Sequence, residues 1–485
     1  MRTDMVKTMV LAAAGAAAVT AGALTFDPGL PRIGELGARN PADVKGENWT
    51  LGCECLDRDF ADFREYREYV PALGVKRVRL QAGWAKCERV AGQWDFAWLD
   101  EIVDWLKAHG VEAMLELSYG NPIHPGAGGW DLAAGMPNTP EGLAAWDVWV
   151  EKLATHYKGR VSWFAMWNEP YNGINSAEQV ADLNVRSAKI IRRIQPDAVL
   201  AGLSLGQWDA KSLEDCLKPM GKDAELFDYF IYHGYQIAPE TTYPDVEAMR
   251  ETLARYAPKA RLWQCENGCP SEMTSCFALA RIPWTEISQA KWNLRRMLGD
   301  LGHDVRSSIF TICDFNHRGR EINRKGIVRA NAEKKVIGPK LSWYAVRNTV
   351  GFFDATVRRV KTPRVSTVDR TLELYEYVFA NGSPVFVYWQ SKVEAPVDAA
   401  KQNGPKQDSF RYSRPGDSLV TRPAVLEWTG RPLQDPVLVD LVTGGVYAVP
   451  TEVARVHSCG TSFVNIPVYD SPLVLTERAA LEGRF

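Results

Sequence analysis

The chain alternates short apolar runs with amphipathic stretches between about residues 49 and 315. The runs have the length of strands. The stretches, such as residues 98–109, repeat apolar positions at the three- and four-residue spacings that are typical of helices. Several helical stretches end at a glycine directly before the next apolar run, a common way for a helix to end. The eight predicted strands are residues 49–53, 75–81, 111–118, 161–168, 198–204, 228–233, 261–266 and 308–313.

Eight strands with intervening helices over roughly 280 residues predict an α/β fold, a closed (β/α)8 barrel. A doubly wound sheet is the alternative, but no Gly-x-Gly-x-x-Gly turn follows the first strand. Beyond residue 345 the pattern changes to short alternating runs punctuated by Gly, Pro, Asn and Asp, which predict an antiparallel β-sandwich. We therefore expect a lead-in over residues 24–47, the barrel over 48–345 and a sandwich over 346–485.

The first 23 residues have the features of an export signal. Arg2 and Lys7 supply positive charge around the start of an apolar run, and small residues follow at positions 21–23. An uncleaved anchor or a wrongly assigned start is the alternative. No other stretch approaches the roughly 20 apolar residues that a membrane span needs. We therefore expect an exported protein, periplasmic or extracellular, with no membrane association once the signal is removed.

Composition argues against several kinds of partner. The chain has 57 basic and 59 acidic residues, a net charge of −2, so no overall positive field would attract nucleic acid. The seven histidines are scattered and no Cys-x-x-Cys pair occurs, so we expect neither a metal nor another cofactor. Nine cysteines leave at least one thiol outside intramolecular pairs, and Cys269 and Cys276 could close a loop disulfide. The oligomeric state is left open.

Two acidic residues follow predicted strands that a barrel would bring together. Glu169 lies in the segment Trp-Asn-Glu-Pro (residues 167–170) after the fourth strand, and Glu266 lies at the end of the seventh. The C-terminal ends of barrel strands converge on one face, so the two carboxyl groups would meet across its mouth. Glycosidic cleavage needs such a pair: one protonates the leaving oxygen while the other attacks, or activates water at, the anomeric carbon. For Glu169 alone, the start of a helix ahead of Pro170 is the alternative.

The Asn168-Glu169-Pro170 segment, preceded by a tryptophan, resembles the acid/base motif of the clan A glycoside hydrolases. The order of elements over about residues 48–480 is similar to that of the family 39 and family 5 enzymes of this clan. The resemblance implies that Glu169 is the acid/base and Glu266 the nucleophile. Asn168 is then expected to hydrogen-bond the sugar 2-hydroxyl, a contact that strengthens in the transition state.

The same resemblance implies roles for three supporting residues. At one place the sequence departs from the pattern of the family. Arg79 on the second strand would contact the nucleophile, and His233 and Tyr235 would lie at the site from the end of the sixth strand. Residues 311–315 of the eighth strand have no tryptophan, whereas many members place one against the sugar. The floor of the innermost subsite is therefore expected to differ.

Local environment predicts which carboxyl group is ionised. Arg79 and Tyr235 can both donate hydrogen bonds to Glu266, which favours its charged form. Glu169, beside Trp167 and other apolar neighbours, is expected to stay protonated and to act as the acid. The two carboxyl groups should then lie about 5–5.5 Å apart, the separation of a retaining double displacement.

Other strand ends carry further candidates. Trp84, Tyr119 and Trp130 could stack on sugar faces, or they could be packing residues at the barrel rim. Glu54 on the first strand would either bind a glycone hydroxyl or pair with the strand-two arginine. Asp314 after the eighth strand would either define a substrate subsite or be structural.

The leading hypothesis is a retaining glycoside hydrolase that cleaves β-glycosidic bonds of an oligosaccharide or polysaccharide. Long loops at residues 119–140 and 267–287 could wall a pocket, which favours exo action; an endo-acting β-glycanase is the alternative. From other classes, the alternatives are a non-catalytic glycan-binding barrel and a metal-dependent barrel enzyme, which would need clustered His and Asp. We expect the sandwich to be a structural companion of the barrel rather than a carbohydrate-binding module, although Trp389 and Trp428 are available.

Overall fold

A computed structural model describes residues 24–46, 48–171, 173–317, 321–394 and 410–482. The predicted export signal, residues 1–23, lies outside the described residues. A closed barrel of eight parallel strands is followed by antiparallel sheets, which confirms the predicted fold class. Within these segments, none of the helices combines the length and the hydrophobicity that a membrane crossing requires.

Seven of the eight barrel strands are shorter than the apolar runs that predicted them; the exception is the fifth, Val199–Leu205. The eight strands follow a first strand, β1 (Arg32–Glu35), and are β2 (Trp49–Gly52), β3 (Arg77–Gln81), β4 (Glu112–Glu116), β5 (Trp163–Ala165), β6 (Val199–Leu205), β7 (Tyr229–Tyr232), β8 (Arg261–Gln264) and β9 (Arg306–Ile309). Strand β9 pairs with β2, with Thr50 opposite Ser308, and this pairing closes the ring. Because β5 and β8 end early, the residues after them are free to turn their side chains into the barrel mouth.

Ten α-helices lie in the described segments, and most cover the outside of the barrel. Side-chain caps start the longer ones: Thr139 accepts a hydrogen bond from the backbone of Gly142, and Ser176 forms a capping box with Gln179. The helices are α1 (Phe63–Tyr66), α2 (Tyr69–Ala72), α3 (Trp84–Cys87), α4 (Ala97–Ala108), α5 (Pro140–His156), α6 (Ala177–Ile194), α7 (Ala210–Met220), α8 (Tyr243–Tyr256), α9 (Glu286–Gly302) and α10 (Leu341–Phe352).

Aromatic side chains fill the N-terminal half of the barrel interior. Trp163, Tyr229 and Trp263 pack with their ring centroids 5.4–6.1 Å apart. The Arg77 guanidinium lies over Trp163, 3.4 Å from the ring centroid. This plug closes one end of the barrel, so a cavity can open only at the C-terminal ends of the strands.

After the barrel, the chain forms two hairpins and then a sandwich. One sandwich sheet has seven strands in the order β1-β22-β21-β25-β17-β16-β14, and the other has four in the order β15-β20-β24-β23. The strands are β10 (Phe315–His317), β11 (Glu321–Asn323), β12 (Val328–Ala330), β13 (Val336–Pro339), β14 (Arg358–Arg359), β15 (Val365–Ser366), β16 (Leu372–Val378), β17 (Pro384–Gln390), β18 (Lys392–Glu394), β19 (Phe410–Tyr412), β20 (Arg422–Trp428), β21 (Pro436–Asp440), β22 (Gly445–Ala448), β23 (Ala454–His457), β24 (Gly460–Val468) and β25 (Leu473–Glu477).

The lead-in belongs to the sandwich. Strand β1 pairs with β22 as the outer strand of the seven-stranded sheet, and the Tyr447 hydroxyl donates to the Phe26 carbonyl at 3.0 Å. The expected boundary between residues 345 and 346 falls inside α10. That helix packs against α9 of the barrel and is buried along most of its length. The sandwich is therefore joined to the barrel by a shared helix as well as by the returning N-terminal strand.

The structure answers two questions that the sequence left open, one about glycan-binding tryptophans and one about a disulfide. The two tryptophans considered for glycan binding are buried, and Trp389 Nε1 donates to Glu240 Oε1 at 2.7 Å, a contact between sandwich and barrel. The suggested Cys269–Cys276 disulfide does not form. Cys269 is buried beside aromatic residues, whereas the Cys276 thiol donates to Glu321 Oε2 at 3.1 Å.

Candidate active site

A cavity of about 510 Å³ opens at the C-terminal mouth of the barrel. The loops after six of the eight barrel strands contribute to its walls. Six residues singled out from the sequence line it: Glu54, Tyr119, Asn168, Glu169, Tyr235 and Glu266. Arg79 and His233 are fully buried and contact the two catalytic candidates from below.

The two acidic residues reach the cavity by different backbone routes. Glu266 follows β8 by two residues, so the strand itself aims it. Glu169 lies four residues beyond β5 and has φ of +46°, in the left-handed region that a non-glycine residue rarely adopts. Its N–H donates to the Ser204 carbonyl of β6 at 2.9 Å, which helps to fix this conformation. A residue keeps such a strained conformation only where the surrounding structure fixes it, and residues of this kind are found most often at functional sites.

The two carboxyl groups lie close together around a histidine. One carboxylate oxygen of Glu169, one of Glu266 and a ring nitrogen of His233 all lie within 4.8 Å of one another. The His233 Nδ1 atom is 2.8 Å from Glu169 Oε1 and 3.7 Å from Glu266 Oε1. Its other ring nitrogen is 3.3 Å from Ser204 Oγ. The ring therefore bridges the two acids and is itself held from behind.

Arg79 organises the floor of the cavity. Its Nη1 donates to Glu266 Oε2 at 2.8 Å, and its Nη2 donates to Asn168 Oδ1 at 2.6 Å. Nε and Nη2 both donate to Glu116 Oε2, the Nε contact at 2.9 Å. Nη1 also lies 3.2 Å from Glu54 Oε1. One guanidinium thus faces three carboxyl groups.

The surroundings separate the pKa values of these three groups. Burial alone would raise the pKa of Glu266. His233 and Arg79, together with the Tyr235 hydroxyl that donates to Oε1 at 2.9 Å, lower it below its ordinary value. Burial raises the pKa of Glu54 to about 8, against the opposing charge of Arg79. The pKa of Glu116 is raised as well, again mainly by burial. Glu266 is therefore the group best able to carry a negative charge, as the sequence analysis predicted.

The pKa of His233 is shifted in the opposite direction to that of Glu266. Burial favours the neutral ring, but the negative charge of Glu266 and the contact with Glu169 raise the pKa of His233 well above its ordinary value. The apolar setting expected for Glu169 is absent: its side chain is 27% exposed and contacts this ring. The Trp167 ring instead packs away from the cavity against Trp146.

The Asn168 side chain is held at both ends. Its Oδ1 accepts from Arg79, and its Nδ2 donates to the Tyr119 hydroxyl at 2.9 Å. Its backbone N–H donates to Ser118 Oγ at 2.8 Å. Nδ2 carries a second hydrogen that can meet a sugar hydroxyl. Only 3% of the Tyr119 surface is exposed, so the residue contributes to the site mainly through its hydroxyl group.

Three other candidates lie elsewhere. Trp84 cannot stack on a sugar because it is fully buried, with Nε1 donating to Glu88 at 2.7 Å. Asp314 is also buried and accepts from Lys340 Nζ at 2.7 Å and from Arg324 at 3.0 Å, so it does not reach the cavity. For both residues the structure agrees with the structural alternative: Trp84 packs in the core, and Asp314 forms buried ion pairs. Trp130 is 46% exposed and lines a second cavity of about 280 Å³, which shares Arg58 and Tyr119 with the first.

Sequence reasoning missed several residues of the site, and three of them are instructive. Phe310 lines the cavity because β9 ends at Ile309, before the end of the apolar run 308–313 that predicted this strand. Lys325, after β11, lines the cavity too, and no pattern in the sequence marks it. Glu116 is the third; a charged residue inside the apolar run 111–118 was the signal that could have found it.

Glu169, His233 and Glu266 are also the one grouping among the described residues with the spacing of metal ligands. The donor set does not suit a cation well. Arg79 occupies Glu266 Oε2, the Tyr235 hydroxyl occupies Oε1, and the raised pKa of His233 favours its protonated form. The cluster has the chemistry of a proton-transfer site.

The chain is similar in part of its sequence and in its fold to known glycoside hydrolases. Residues 48–273 match the family model for cellulase, glycosyl hydrolase family 5. The fold is similar to that of a family 39 glycoside hydrolase from Bacteroides cellulosilyticus WH2 (TM-score 0.61, 15% identity, 90% of this chain and 81% of that one). It is also similar to a glucosidase from Croceicoccus marinus (0.55, 14%, 92% and 99%) and a family 30 endoxylanase from Clostridium papyrosolvens C71 (0.54, 10%, 93% and 98%). No curated protein matches. The sequence of residues 48–273 and the fold are thus both similar to those of the clan A glycoside hydrolases, enzymes that hydrolyse O-glycosyl bonds.

Proposed function

We propose that the protein is a retaining β-glycosidase that works by double displacement, with Glu266 as nucleophile and Glu169 as acid/base. The observation that carries the proposal is the pair of carboxylate oxygens within 4.8 Å, one of them on a group whose pKa is lowered by its neighbours. A separation this short suits direct attack by one carboxylate and leaves little room for an intervening water.

In the first step, a Glu266 oxygen forms a bond to the anomeric carbon. The bond from that carbon to the glycosidic oxygen breaks, and the proton of Glu169 moves to the departing oxygen. The product is a glycosyl-enzyme ester and a free leaving group. Arg79 and Tyr235 hold the two Glu266 oxygens before attack, which orients the carboxylate towards the sugar.

In the second step, water attacks the anomeric carbon from the side that the leaving group vacated. Its proton moves to Glu169, and the bond to Glu266 breaks, which restores both carboxyl groups and retains the β-configuration. His233, at 2.8 Å from Glu169 Oε1, keeps that carboxyl group on the leaving-group side in both steps. We assign His233 and Arg79 as positioning residues and Asn168 as the partner of the sugar 2-hydroxyl.

We further propose exo action. The loop after β8 supplies Phe277 and the loop after β4 supplies Leu132 to the cavity wall, so both long loops help to enclose it. An endo-acting enzyme would instead use the adjoining cavity with the exposed Trp130 for a continuing chain. Digestion of a labelled β-linked oligosaccharide ladder separates the two: exo action releases single sugars from one end, and internal cuts would overturn this part.

Azide rescue tests the two catalytic roles separately. With aryl β-glycosides, azide should restore turnover of Glu266→Gly and give the α-glycosyl azide, because the small anion replaces the missing nucleophile. With Glu169→Gly, azide should attack the glycosyl-enzyme and give the β-glycosyl azide. NMR of the first-formed sugar from the unmodified enzyme should show the β-anomer. An α-anomer, or exchange of the two azide products, would refute the assignment.

Export remains a proposal that rests on the charge and apolar pattern of residues 1–23 alone. N-terminal sequencing of the protein recovered from the periplasm or medium tests it, with a start near residue 24 expected. Full-length protein confined to the cytoplasm would overturn it.

A further inference from the structure

Lys325 lies on the wall of the catalytic cavity with 2% of its surface exposed. Its backbone is anchored on three sides. Its N–H donates to Asn323 Oδ1 at 3.2 Å, and its carbonyl accepts from the Thr311 N–H and from Gln289 Nε2, both at 3.4 Å. These contacts join the chain after β11 to the end of the barrel and to α9, so the position of the lysine is built into the fold.

The amino group of this lysine meets aromatic rings instead of a carboxylate. Its Nζ lies 5.8 Å from the ring centroids of both Tyr235 and Phe277. Within the described part of the chain, no acidic group lies within ion-pair distance of it, and Glu266 acts on it only from farther away. Both oxygens of Glu266 are already engaged by Arg79 and Tyr235.

The other deeply buried lysines show what such a residue normally has. Lys340 Nζ lies 2.7 Å from Asp314 Oδ1, and Lys291 Nζ lies 2.7 Å from Asp470 Oδ1. A buried charge is costly unless it is paired, because the solvation it has lost must be replaced. The cost at Lys325 is visible in its pKa, which burial lowers to about 8. Of the three, Lys325 is also the one that faces the substrate cavity.

We propose that Lys325 is the counter-cation for an anionic substituent on the sugar bound beside Glu266, so that the natural substrate is an acidic glycan. The substituent would be a carboxylate, as in a uronic acid, or a sulfate ester. This inference rests on the proposed glycosidase function. Because Lys325 is 2% exposed and Phe277 lies beside its amino group, such an ion pair would be less screened by solvent than a pair at the surface.

Support of Glu266 alone is the rival role for Lys325. A cation near the nucleophile helps to keep it ionised, and removal of the cation would then slow hydrolysis of every substrate equally. Recognition of a substituent gives a different result, because the loss is confined to substrates that carry the charge. The two roles are therefore separated by substrate pairs that differ only in that group.

The test compares the full chain with Lys325→Met and Lys325→Arg on matched aryl substrates: β-glucuronide against β-glucoside, β-galacturonide against β-galactoside, and 6-sulfated against unsulfated β-glucoside. The unmodified enzyme should prefer one acidic member, and the responding arm identifies carboxylate or sulfate. Lys325→Met should lower kcat/KM on that member by about 10- to 100-fold, mainly through KM, and leave the neutral member within about 3-fold. Lys325→Arg should recover part of the loss.

Calorimetric titration of the unmodified protein with glucuronic acid, galacturonic acid, glucose 6-sulfate and glucose gives a second readout without turnover. We expect an acidic sugar to bind and glucose to bind more weakly, with the difference lost in Lys325→Met. Equal losses on neutral and acidic substrates, or a wild-type preference for the neutral member of every pair, would overturn the inference while leaving the glycosidase intact. Failure of azide rescue at both glutamates would instead remove the function on which it rests.

Discussion

Replacement of Glu54 by Gln should make the protein more stable at neutral pH. Burial raises the pKa of Glu54 from 4.5 to about 8, so the folded protein holds this proton across a range in which the unfolded chain has released it. Stability conferred by that proton is complete below pH 4.5 and is lost as the pH rises towards 8. Two and a half pH units, at about 1.4 kcal/mol each, amount to about 3 kcal/mol between pH 4.5 and 7. Glutamine fills the same space and does not titrate.

Urea unfolding at half-unit steps from pH 4.5 to 8 measures the effect. The free energy of unfolding of Glu54→Gln minus that of the unmodified protein should be near zero at pH 4.5 and rise by about 3 kcal/mol by pH 7. Glu101→Gln, at an exposed position of α4, is the matched control and should give a flat difference. Parallel curves for Glu54→Gln and the unmodified protein would refute the reasoning, because they would mean that Glu54 is ionised at neutral pH in the folded state.

Three further substitutions test a positioning residue, a residue of the cavity wall and a residue of the core. Arg79→Lys should lower kcat/KM by about 100-fold, since an ammonium group cannot serve Glu266, Glu116 and Asn168 together; steady-state kinetics with unchanged circular dichroism checks this. Phe310→Ala should lower kcat/KM by about 10-fold on aryl glycosides through loss of a cavity wall. Trp84→Phe should lower the unfolding free energy by about 1–3 kcal/mol and leave kcat/KM unchanged, and a change in KM would contradict its placement in the core.

The fold and the two acidic residues were predictable because each rests on a local regularity. Alternation of apolar runs and amphipathic stretches predicts a barrel, and a barrel brings the ends of its fourth and seventh strands to one face, wherever those strands stop. Strand ends were less predictable. The run at 308–313 gave no sign that β9 would end at Ile309 and leave Phe310 to line the cavity.

Side-chain direction was harder still to predict. Trp84 and Tyr119 follow neighbouring strands and looked equivalent in the sequence, yet one packs in the core and the other reaches the cavity. The difference arises from the partners that the fold supplies: Glu88 accepts from the Trp84 indole, whereas Asn168, which follows the neighbouring strand β5, donates to the Tyr119 hydroxyl. The Trp84 contact spans only four residues, but the Tyr119 contact joins residues 49 positions apart, and contacts of that second kind leave no periodic trace in a single sequence.

The distribution of charge at the floor explains why one of three buried acids is suited to be the nucleophile. Neither oxygen of Glu54 has a hydrogen-bond partner among the described residues, and one oxygen of Glu116 lacks one as well. Glu266 has a donor on each oxygen. Because a single guanidinium cannot balance three carboxylates in a buried site, the negative charge belongs on the group whose two oxygens both have donors, and the other two acids keep protons more readily. Under the proposed mechanism, a neutral Glu54 on the cavity wall is able both to donate to a sugar hydroxyl and to accept from one, whereas an ionised Glu54 would be able only to accept.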